Sequence, residues 1–71
     1  MNKIETLINE KGFKKSFIAK NLNISVESLR KKLKGLVDFK VSEIIKLSDI
    51  LNLSVESLVK ILMEKEIKEN E

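Results

Sequence analysis

At 71 residues, 42% hydrophobic and 35% charged, the chain has the length of one small domain and a composition in the globular range rather than the disordered one. Cysteine and histidine are both absent, which excludes disulfides, Cys/His zinc sites, thiol nucleophiles and every histidine-based catalytic triad. The two glycines, at positions 12 and 35, cannot build a phosphate-cradling loop. An enzyme is therefore not expected, nor is a cofactor or a metal. The longest apolar runs are three residues, Phe17 to Ala19 and Ile61 to Met63, against roughly 20 for a membrane span or about 7–15 for the core of a signal peptide. The expected location is cytoplasmic, with no membrane partner.

Five short helices are expected in chain order, and no segment has the apolar alternation of a strand. Asn2 with Glu5 three residues later fits a helix start, and Ile4, Leu7 and Ile8 recur at helical spacing until Gly12. A second helix covers about Lys15 to Asn21, with Ile18, Ala19 and Leu22 on one face, and stops near Asn23. Ser25 caps a third helix that runs through Lys34 to Gly35, and the short interval between the two helices is that of a tight helix-turn-helix. After an irregular stretch, Leu36 to Lys40, a fourth helix carries Ile44, Leu47 and Leu51 in register and stops at Asn52. Ser54 caps a fifth, which reaches Met63 or slightly beyond. Residues 1–63 form the expected domain, and 64–71 (EKEIKENE) a charged tail or the fraying end of the fifth helix.

The net charge of +3 is unevenly placed. Between residues 11 and 34, Lys11, Lys14, Lys15, Lys20, Arg30, Lys31, Lys32 and Lys34 are opposed only by Glu27. Such a concentration attracts polyanions, because each neutralised phosphate releases condensed counterions. An internal repeat sharpens the point. LNISVESLRKKL (22–33) recurs as LNLSVESLVKIL (51–62), with nine of twelve positions identical. The shared letters solve one local problem: a leucine anchor, an asparagine to reverse the chain, a serine cap, a glutamate near the positive helix end, and a buried leucine. The copies differ at Arg30 against Val59, Lys32 against Ile61 and, one place further, Lys34 against Met63. At about 100° per residue, the third helix has apolar side chains only at Val26, Leu29 and Leu33, an arc of roughly 60°, whereas those of the fifth cover roughly 200°.

These residues resemble the phage repressor and Cro-type helix-turn-helix family, the XRE-like regulators. The match runs through GFKKSFIAKNLNISVESLRKKLKG (12–35) and DFKVSEIIKLSDILNLSVESL (38–58), about two thirds of the chain. It implies a five-helix lambda-repressor-like DNA-binding domain in which helices 2 and 3 form the helix-turn-helix and helix 3, about residues 26–34, enters the major groove. Carried over, Val26, Glu27, Ser28, Arg30 and Lys31 are the base-facing set, and Lys14, Lys15, Ser16, Lys32, Lys34 and Lys40 the phosphate-facing set. Two departures stand out. Lysines 14 and 15 replace the family's usual cap and glutamine, and Phe17 stands where a polar residue is common, either as a partly exposed aromatic or, the favoured place, packed on helix one. The resemblance implies a sequence-specific regulator, a phage-type repressor or Cro-like protein, bound as a homodimer to an inverted repeat of double-stranded DNA. Val59, Leu62, Met63 and Ile67 form the candidate dimer surface, and a protein antagonist is a candidate partner. The competing expectation is a protein-interaction module, an antirepressor or antitoxin subunit, on the same fold with weak or no DNA binding.

Overall fold

The computed structural model describes the backbone of residues 3–69 and the side chains of residues 3–63. Five helices account for the regular structure: α1 (Lys3–Glu10), α2 (Lys15–Leu22), α3 (Val26–Leu33), α4 (Val41–Leu51) and α5 (Val55–Glu69), with no strand among the described residues. The domain is all-α. No described helix is long and apolar enough to cross a membrane. The expected Asn2 cap lies outside the described residues, and the α5 backbone continues past Met63 to Glu69.

The helix ends obey one rule. After α1, α2, α3 and α4 the chain passes through a left-handed residue, namely Gly12 (φ 81°), Asn23 (φ 61°), Gly35 (φ 84°) and Asn52 (φ 58°). In each case that residue and the next donate back to the helix's last carbonyls, as in the pairs Asn23 N–H to Lys20 (3.1 Å) and Ile24 N–H to Ala19 (3.0 Å). This double closure ordinarily folds the second residue's side chain back onto the helix. Phe13, Ile24 and Leu53 do so and pack against the core. The fourth such residue, Leu36, does not.

That core takes residues from all five helices: Ile4 and Ile8, Ile18, Ala19 and Leu22, Leu29 and Leu33, Leu47 and Leu51, and Leu58. It is reached because α2 packs on α3 and α4, while α5 packs on α1 and α4. The two repeats adopt the same local structure. Ser25 Oγ accepts the Ser28 N–H at 3.0 Å, Ser54 Oγ accepts the Ser57 N–H at 3.0 Å, and the following leucines, Leu29 and Leu58, are fully buried. Ser25→Ala removes the only side-chain acceptor at the start of α3, so a loss of about 1 kcal/mol is expected. That is a fall of roughly 4–8 °C in the melting temperature of a domain this size, read by circular dichroism.

Phe17 takes the less favoured of its two expected places, that of a partly exposed aromatic. Its ring stacks on Phe13, with centroids 5.4 Å apart and planes 8° from parallel, and it stays about half exposed. Phe13, folded back by the closure of α1, is packed against the core and supplies the surface on which Phe17 rests.

Candidate nucleic-acid interface

The cationic helix α3 has two faces of different character. At about 100° per residue, Lys32, Leu29, Leu33 and Val26 fall in one arc, with Arg30, Lys34, Glu27 and Lys31 together on the other side. The first arc faces inward. Leu29 and Leu33 are buried, Lys32 is 9% exposed, and Val26 is half-buried against the core. On the second arc Glu27, Arg30, Lys31 and Lys34 are all exposed. Glu27 near the helix's positive end and the bases in its last turn suit the helix dipole, and Glu27 stands four residues before Lys31.

Lys32 and Lys15, both expected at phosphates, are engaged within the chain. Lys32 is the clearer correction: its Nζ donates to Glu43 Oε1 at 2.5 Å, and Glu43 is itself buried. The side chain that looked like one more surface base ties α3 to the start of α4. Lys15, half-buried, sits 3.0 Å from the Glu5 carboxylate on α1. Val26, of the base-facing set, is half-buried against the core. Lys14, Ser16 and Lys40 are exposed, and Ser28 is half-buried. Lys14 occupies the cap position of α2 but makes no side-chain hydrogen bond there, because an ammonium has no lone pair to offer an N–H.

Glu43 was not singled out as a functional residue, yet it organises this end of the molecule. The oxygen that takes the Lys32 proton donor also accepts the Lys40 N–H at 2.9 Å, satisfying one of the free donors at the α4 start. Burial alone would raise its pKa. Hydrogen bonds from Lys32 and from the Lys40 backbone, with the charges of both lysines, outweigh that and hold the carboxyl below its ordinary value. A lowered carboxylate pKa gives stability that is complete above the unfolded value, about 4.3, and is lost as pH falls through the folded one. Acid unfolding of Glu43→Gln should therefore show a smaller drop in stability below about pH 4.3 than the unmodified chain. Denaturant titrations at a series of pH values measure it, and identical acid limbs would show that Glu43 does not contribute.

Of the candidate dimer residues on α5, Leu62 packs against the core, Val59 is half-buried and Met63 is exposed, while the Ile67 side chain lies outside the described residues. Comparison of the chain with protein-family models, with curated proteins and with solved structures returns no match.

Proposed function

We propose that this protein is a sequence-specific double-stranded DNA-binding transcriptional regulator in which α2, the turn and α3 act as a helix-turn-helix. One observation carries the reading: the inward arc of α3 satisfies the fold completely, and the outward arc presents Arg30, Lys31 and Lys34 to solvent. On this reading α3 lies in the major groove, where Arg30 or Lys31 donates to guanine O6 and N7 and Glu27 accepts from cytosine N4. Lys14 and Ser16 at the start of α2, with Lys34 and Lys40 around the following loop, meet phosphates. Lys32 has no part in it. A single copy offers few contacts, so the regulator acts as a homodimer on an inverted repeat whose half-sites lie about 34–36 Å apart.

Selection of bound sequences from a randomised duplex pool tests this. The regulator reading predicts enrichment of one motif with two inverted halves, and a pool that stays random through successive rounds contradicts it. The second reading, a protein-interaction module with little DNA binding, is favoured by the exposed apolar side chains between Leu36 and Ile45 and predicts the unenriched pool.

A further inference from the structure

Residues 34–40 carry Lys34 and Lys40, yet the segment spends little of itself on the core. Leu36, Val37 and Asp38 are exposed, while Phe39 is half-buried against the core. A segment with so few buried contacts ordinarily opens at little cost, and lysines carried on it would meet phosphates at no fixed spacing.

One oxygen closes this segment. Glu43 Oε1 accepts from Lys32 Nζ at 2.5 Å and from the Lys40 N–H at 2.9 Å, so a single buried carboxylate joins the last turn of α3 to the residue before α4. Lys34 stands two positions beyond one donor, and Lys40 is the other. The second repeat shows that burial does not demand such a pair, because Ile61 takes the place of Lys32 there and packs against the core. A buried ion pair is often no more stabilising than apolar residues of similar volume. What it adds is direction, since hydrogen bonds to one oxygen fix a geometry that apolar contact alone leaves loose.

From this we infer that Glu43 is a positioning residue for DNA: its carboxylate holds residues 34–40 in the one conformation that presents Lys34 and Lys40 to the phosphates together. Lys32, which meets no phosphate itself, is the α3 anchor of that clasp. The inference rests on the proposed function, where these two lysines meet phosphates, and adds to it a residue that touches no DNA. Phosphate contacts set the register of a protein on the duplex, so Glu43 also governs how α3 is seated in the groove.

The paired variant Lys32→Met with Glu43→Leu, which strands no charge, tests this, with circular dichroism checking the fold. Without DNA, limited trypsin digestion should cut after Lys34 and Lys40 roughly fivefold faster than in the unmodified chain, measured relative to the cut after the exposed Lys20 on α2. With the selected duplex, the salt slope should shrink from about −3 to about −1 for each chain bound, because Lys14 on α2 keeps its phosphate while Lys34 and Lys40 lose theirs. In the unmodified chain the Lys40 amide should exchange at least about tenfold more slowly than in an open chain, a measurement that needs no variant. Cutting that rises equally after Lys20, a slope that stays near −3, or a Lys40 amide that exchanges at the open-chain rate overturns the inference. A slope that the paired variant leaves unchanged still lets the DNA reading stand. No DNA binding by the unmodified chain overturns that reading instead, and the clasp then stands or falls on the cleavage and the amide exchange.

Discussion

Replacing Arg30 and Lys31 together with alanine should lower affinity for the selected duplex about a hundredfold at fixed salt and leave thermal stability almost unchanged. Each side chain is exposed, and surface changes away from caps and packing cost within about 0.5 kcal/mol. A good base-edge contact contributes about 1–3 kcal/mol of discrimination, and every 1.4 kcal/mol is about tenfold. The guanine contact of one and the charge of the other, at about 1.4 kcal/mol each, therefore give about two decades, measured by fluorescence anisotropy. The repeat supplies an internal control. Lys60 occupies in the second copy the place that Lys31 holds in the first, and it too is exposed. Lys60→Ala should leave affinity unchanged, since the proposed reading gives α5 no place in the groove. Equal losses from Lys31→Ala and Lys60→Ala would mean that charge alone, wherever it sits, drives the binding.

The second large effect falls on stability. Lys32→Ala leaves the buried Glu43 carboxylate with only the Lys40 N–H, and removing one partner of a buried pair costs about 3–5 kcal/mol. Lys32 is not sealed completely, so the lower figure, about 3 kcal/mol, is expected at neutral pH. A domain of this length has roughly 4–11 kcal/mol of stability in all, so the melting temperature should fall by roughly 12–24 °C. Replacing both partners, Lys32→Met with Glu43→Leu, removes the stranded charge. It should recover most of the loss, short of about 1 kcal/mol for the α4 donor left without Glu43. Thermal and denaturant unfolding read all three chains. Had Lys32 been a phosphate contact, its loss would have left stability within about 0.5 kcal/mol and reduced the salt dependence of DNA binding by about one unit. An unchanged melting temperature for Lys32→Ala would restore that reading.

Lys32 also shows where sequence reasoning went astray and how it could have been corrected. Its counterpart in the second repeat is Ile61, which packs against the core. Read as grammar, the repeat says that this position faces inward in both copies; read as divergence, it suggests that one copy had become cationic on its surface. The first interpretation is right for Lys32, and the partner was in plain sight as Glu43, which lies in the first turn of the next helix. Arg30 and Lys34 follow the second interpretation, since both are exposed.

The parts of the fold fixed by local chemistry were legible. Asn23 and Asn52 reverse the chain, Ser25 and Ser54 cap, and Gly12 and Gly35 take the left-handed conformation, because each depends on residues within a few positions of itself. Contacts between distant segments were not legible. Lys15 meets Glu5 across a turn, and Phe17 rests on Phe13 because the closure of α1 brought that ring there first. Nor did periodicity reveal that Leu36 and Val41 are exposed, since an apolar residue in a loop or at a helix start reads the same whether it turns inward or outward.

The salt dependence of binding to duplex DNA tests most directly whether the outward face of α3 and its neighbours meet a polyanion. Lys14, Arg30, Lys31, Lys34 and Lys40 are the exposed bases assigned to DNA. Three of them, Lys14, Lys34 and Lys40, are assigned to phosphates, so at about −0.9 per phosphate contact the logarithm of affinity should fall against that of salt concentration with a slope of about −3 for each chain bound. Anisotropy of a labelled duplex across a salt series would give that slope if the account is right. No binding at the lowest salt, or binding that salt leaves unchanged, would contradict it.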